Sequence, residues 1–210
     1  MGQEITILVS VISGALGVSI LRSGIRLVRK LQAERKPLAE YDCGDENTDP
    51  GCLRKSWGKR FPDESASNNQ AWAYSNDRIE PRREHTIYGP YTNDFGKPGS
   101  YKVTFRIRCL SNFDFSSKGP PLPHDTVIVL DVVRTPFAKE QSMIILGQRI
   151  VRAQELKATY KNFNINCHYA GDGIYEYRCS VIRDKLPKSE NTFLFDSIKV
   201  YRQLPAWEIL

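Results

Sequence analysis

From Tyr101 to Cys109 the chain alternates strictly: Tyr101, Val103, Phe105, Ile107 and Cys109 are apolar, and Lys102, Thr104, Arg106 and Arg108 are polar. A period of two sends successive side chains to opposite faces of an extended backbone, so this stretch is a half-buried strand. The same period returns in Phe163, Ile165, Cys167 and Tyr169, which alternate with Asn162, Asn164, Asn166 and His168. It returns again in Tyr175, Tyr177, Cys179 and Val181, which alternate with Glu176, Arg178 and Ser180. Thr126–Val133 is a near-continuous apolar run, as expected of a strand central in its sheet. Asp131 interrupts that run and needs a partner if it is buried. The last strand changes parity between Phe195 and Ile198, so Asp196-Ser197 must hold a bulge or a bend. No helical period separates these strands. The pattern predicts an antiparallel sandwich and excludes a doubly wound α/β fold.

Ala170-Gly171-Asp172-Gly173 lies between two of the alternating runs and reads as a hairpin turn. If both apolar sets share one face, a three-residue loop puts Cys167 opposite Tyr177 and Ile165 opposite Cys179. It also puts His168 opposite Glu176 and Asn166 opposite Arg178. The expected polar face is then one cluster of amides, an imidazole, a carboxylate and a guanidinium.

The N-terminal third is different. Ile5–Leu21 holds seventeen residues without a charge, about 26 Å of helix, at the short end of a bilayer span. Glu4 precedes the run and Arg22 follows it, the reverse of a cleaved signal peptide, so an uncleaved transmembrane helix is expected. Arg22, Arg26, Arg29, Lys30, Arg35 and Lys36 follow against the single acid Glu34, and they supply most of the net charge of +6. Positive charge on that side predicts a single-pass membrane protein whose C-terminal domain is cytoplasmic. Beside an apolar run, such a patch points to anionic lipid rather than nucleic acid. Ser10/Gly14 and Ser13/Gly17 are small-residue pairs at helical spacing, through which the anchor could self-associate. Residues 37–84 show neither period and read as a linker partly packed on the domain, with an early strand near Trp72–Tyr74. The expected division is an anchor with a basic amphipathic extension at 1–36, the linker at 37–84 and the sandwich at 85–210.

The five cysteines contain no C-x-x-C pair, and the three histidines are scattered, which argues against zinc. Cys109, Cys167 and Cys179 share the apolar parity of their strands and are expected to be reduced thiols facing the core. Cys43 and Cys52 flank an acidic turn and could close a small disulfide loop or stand as two free thiols. No nucleophile elbow, zincin motif or phosphate-binding loop occurs, so no enzymatic reaction is indicated.

Tyr88–Tyr91 (Y-G-P-Y), Pro98–Arg106, Val127–Val132, Tyr175–Arg178 (Y-E-Y-R) and Phe195–Val200 (F-D-S-I-K-V) together resemble galactose-binding-like jelly-roll sandwiches. Carbohydrate-binding modules belong to that group. The likeness spans roughly Glu84 to Gln203 and implies a jelly-roll-like all-β fold carrying a non-catalytic glycan-binding face. It also implies a structural calcium ion, with Asp196 at the acidic position before the final strand, although no full ligand set accompanies it. The candidate ligand-binding residues are Asn164, Asn166, His168, Glu176 and Arg178, because amides and charged groups suit sugar hydroxyls. The alternative is a structural or assembly protein that presents the sandwich to a protein partner at the membrane.

Overall fold

A computed structural model describes residues 24, 36–45, 52–55, 58–74, 85–92, 97–110, 122–136, 142–171, 173–182, 186 and 193–203. The strands are β1 (Ala39–Asp42), β2 (Arg54–Lys55), β3 (Gly58–Pro62), β4 (Gln70–Tyr74), β5 (Ile87–Tyr88) and β6 (Pro90–Thr92). They continue as β7 (Gly99–Cys109), β8 (Thr126–Thr135), β9 (Ile144–Arg152), β10 (Lys161–Tyr169), β11 (Ile174–Val181) and β12 (Phe193–Gln203). A 3₁₀ turn, Ala153–Glu155, separates β9 from β10. The strands form two antiparallel sheets. Sheet A has the order β10-β7-β12-β4-β3, with β1 also on β12. Sheet B has the order β2-β5-β11-β8-β9, with β6 also on β11.

The alternating runs form the strands expected of them. Tyr101, Val103, Phe105 and Ile107 of β7 are buried against Ile128, Leu130 and Val132 of β8 and Tyr175 and Tyr177 of β11 in one core. The parity change in the last strand is a bulge: Phe195 pairs with Ile107 and Ser197 with Arg106, leaving Asp196 as the extra residue. Asp131 is buried and has partners, the Arg178 guanidinium at 3.3 Å and the Gln148 amide at 2.9 Å.

The hairpin expectation is corrected. β10 pairs with β7 in sheet A, Asn166 facing Lys102 and Asn164 facing Thr104. β11 pairs with β8 in sheet B, Arg178 facing Asp131. The chain between them crosses from one sheet to the other, helped by Gly171 and Gly173 at φ of 85° and 95°. Both apolar sets do face the same core, but from opposite sides of it, and the Tyr169 and Tyr175 ring centroids lie 4.6 Å apart across the gap. Alternation dictates which side chains point inward; it does not choose the neighbouring strand.

Residues 39–74, expected to be a partly packed linker, supply four strands. β4 covers the predicted Trp72–Tyr74 region and pairs with β12, as does β1. Among the described residues no helix is long and apolar enough to cross a membrane. The predicted anchor at 1–36 lies outside them, apart from Gly24 and Lys36. All five cysteines are free: Cys43, Cys109 and Cys179 are buried, and Cys52 and Cys167 are half-buried. Burial pushes the Cys43 and Cys179 thiols up, and Cys167 up to about 11, so all three stay protonated at neutral pH.

The two sheets approach closely where β9 passes β10. A Cβ at Gly147 would lie 2.5 Å from Ile165 Cγ2 and 3.1 Å from the Asn166 carbonyl oxygen. Gly147→Ala is therefore expected to cost about 1–3 kcal/mol through overpacking. Urea unfolding should show a lower midpoint with an unchanged slope; an unchanged midpoint would mean the two edges separate freely.

Candidate functional site

Nine of the outward side chains of β10, β7 and β12 build one face on sheet A. The pleat sets them in rows across the strands: Asn164, Thr104 and Lys199; Asn166, Lys102 and Tyr201; His168, Ser100 and Gln203. Asn164, Asn166 and His168 are exposed on the outermost strand, and Lys102, Lys199, Tyr201 and Gln203 are half-buried beside them. Thr104 Oγ1 donates to Asn164 Oδ1 at 2.8 Å, and Gln203 Nε2 donates to Asn166 Oδ1 at 3.1 Å. Both bonds take the amide oxygens. The Nδ2 groups of Asn164 and Asn166 and the His168 imidazole have no partner among the described residues. The Lys102 ammonium lies 4.8 Å over the Tyr201 ring, held by the attraction between a cation and the ring quadrupole.

The other end of this face is closed. Residues 63–69, between β3 and β4, fold back over it onto a small cluster of Ala66, Ala71, Ala73 and Leu194. Asp63 accepts from the Tyr160 hydroxyl at 2.6 Å and pairs with Arg108 at 2.9 Å. The Arg106 guanidinium sits 4.4 Å over the Tyr160 ring. Burial and the Asp63 carboxylate both push the Tyr160 hydroxyl far up, so it remains a donor. Nothing in the local pattern around Tyr160 marks this cap, because its contacts come from Asp63, Arg106 and Arg108.

Glu176 and Arg178 are not part of the sheet A face. Both point outward from sheet B, on the far side of the sandwich from the Asn strand. Arg178 is buried and committed to Asp131, with the Met143 sulfur 3.3 Å from its guanidinium. Glu176 accepts from the Tyr91 hydroxyl. Burial raises its carboxyl, and the nearby Arg178 charge offsets part of the rise. The five candidate residues thus divide into Asn164, Asn166 and His168 on one face and Glu176 and Arg178 on the other. Sequence reasoning missed Lys102, Tyr201 and Gln203, whose parity was readable but whose adjacency to β10 required the pairing.

Asp196 does not fit a calcium site. Its carboxylate is fully buried, accepts from Ser67 N at 2.7 Å and Ser67 Oγ at 2.9 Å, and is paired with the Arg106 guanidinium. A guanidinium at the carboxylate supplies the positive charge that a cation would bring and repels a second one. No group of three or more His, Cys, Asp or Glu side chains suited to a metal occurs among the described residues.

No protein-family model matches the chain, and no curated protein matches it. Among solved structures it is similar to the carbohydrate-binding module CBM6cm-2 of Cellvibrio mixtus lichenase 5A in complex with cellotriose. That likeness has 10% identity and a TM-score of 0.46 over 80% of this chain and 98% of that one. It is also similar to the CBM22-1 xylan-binding domain from Paenibacillus barcinonensis, at 8% identity and a TM-score of 0.49 over 81% and 97% of the two chains. A family 35 carbohydrate-binding module from Clostridium thermocellum aligns at 12% identity and a TM-score of 0.43 over 78% and 98%. With TM-scores below 0.5, these likenesses leave any functional reading to rest on the side chains of the two faces.

Proposed function

We propose that the sandwich is a non-catalytic binding module that recognises a glycan on the outer face of sheet A. The supporting observation is the set of open hydrogen-bonding groups around Asn166: two amide nitrogens, an imidazole, a phenol and an ammonium on one rigid three-strand platform. Sugar hydroxyls need several fixed donors and acceptors together with a flat ring surface, and this face offers them. The uncharged run at 5–21 would hold the module at a membrane with the domain on the cytoplasmic side, through a helix that could self-associate. Fractionation of the full chain with the soluble proteins would remove that part of the proposal.

Asn166→Ala and Tyr201→Ala are expected to weaken binding on a glycan array by at least about tenfold, the size of one or two lost hydrogen bonds. Unfolding free energy should move by no more than roughly 0.5–1 kcal/mol, because both side chains lie at a solvated surface. Array binding untouched by both variants would leave this face as ordinary surface. A second reading, presentation to a protein partner, is favoured by one observation: Met143, Ile144, Ile145 and Ile150 are exposed along the edge strand β9. Ile145→Lys with Ile150→Lys would then abolish association with the partner and spare glycan binding.

A further inference from the structure

Building on the glycan reading, we infer that the ligand is acidic: a sugar bearing a carboxylate or sulfate group that lies against the Lys102 ammonium. Charge pairing on the face carries this. β7 and β12 turn four cations outward. Arg106 is paired with Asp196, Arg108 with Asp63 at 2.9 Å and Lys199 with Glu40 at 2.7 Å. Only Lys102 of these four has no carboxylate partner among the described residues. Four carboxylates at the face are in turn engaged: Asp42 accepts from Gly44 N at 2.7 Å and from the Asn68 amide, and Asp196, Asp63 and Glu40 hold the cations just named.

The unpaired charge is also held in place. A lysine on a flexible stem ordinarily spreads its charge over many rotamers, whereas here the Tyr201 ring fixes the ammonium 4.8 Å from its centroid. Asn166 stands directly across from Lys102 in the β10–β7 register, and Tyr201 directly across on β12. The next row adds His168 and Gln203. Donors therefore converge around one positive point, and Asp196, Asp63 and Glu40 are paired with other cations. A neutral sugar would take the hydrogen bonds and leave the ammonium without a counter-charge. An anionic sugar uses both, and a charge-assisted hydrogen bond is roughly twice as strong as a neutral one.

The test is an array in which carboxylate-bearing and sulfated glycans each sit beside their neutral parents, probed with the full chain and with Lys102→Gln. Binding confined to acidic members, about tenfold or more weaker in Lys102→Gln and weakened as salt rises from 50 to 300 mM, is the expected result. Whether uronates or sulfate esters give the stronger signals identifies the anionic group. Equal binding to neutral parents, or acidic binding unchanged in Lys102→Gln, overturns the inference and leaves the glycan reading standing. An array without any signal would overturn both. Unfolding of Lys102→Gln by urea is the control, and its midpoint should stay close to that of the unaltered chain.

Discussion

Replacing Arg178 with alanine is expected to destabilise the domain by about 3–5 kcal/mol, a large share of the roughly 5–15 kcal/mol that holds a typical domain folded. The side chain lies outward on sheet B, where a solvated arginine would cost little to remove. It is instead buried, with Asp131 beneath it at 8% side-chain exposure. Truncation leaves that carboxylate in a poorly hydrated site where, among the described residues, the Gln148 amide 2.9 Å away remains to donate to it. The charged form of Asp131 then carries most of the loss. Arg178→Met with Asp131→Leu, which removes both charges and keeps the volume, should recover most of the stability. Equilibrium urea unfolding of the three variants decides the matter. A loss below about 1 kcal/mol in Arg178→Ala would mean that the pair is hydrated. The proposed glycan binding should be unaffected wherever the variant is folded, since Arg178 is on the opposite sheet from Asn166.

Arg178 also marks the limit of what parity can tell. Its outward direction was legible from Tyr177 and Cys179 on either side, and so was the need of Asp131 for a partner. That the two needs answer each other follows only from the β11–β8 register. The inward sets of β7, β10 and β11 and the bulge at Asp196 were legible for the same reason: a burial constraint acts on each residue separately. The candidate site was half legible. Asn164, Asn166 and His168 declare themselves as the polar parity of β10. Lys102 and Tyr201 lie 64 residues before and 35 after Asn166 in the chain, and reach it only through pairing. The segment at 39–74 was harder still, because β1 to β4 run two to five residues each, too short for a period to emerge.

That early segment is tied to the last strand by the β1 and β4 pairings and by the contacts around Asp196, and breaking the latter is the second large effect. Arg106→Ala is expected to cost about 3 kcal/mol, the lower part of the range for removing one partner of a buried pair. The carboxylate left behind, Asp196, has no solvent exposure, whereas the lost guanidinium was 29% exposed and had paid part of its own desolvation. Ser67, which donates to both Asp196 oxygens, keeps the carboxylate from being stranded, and that places the value low in the range. Asp196→Asn should be milder. It removes the buried charge, leaves acceptor capacity for Ser67, and lets Arg106 retain its bond to the Ser65 carbonyl at 3.1 Å and its stacking on Tyr160. The two substitutions combined should cost less than the sum of the singles, since the second removes the charge that the first exposes. Calcium or a chelator added to the unaltered chain should leave the unfolding midpoint where it is, because the guanidinium already stands at the carboxylate. A midpoint that rises with calcium would show that the ion displaces Arg106, and the Asp196 site would then be a cation site after all.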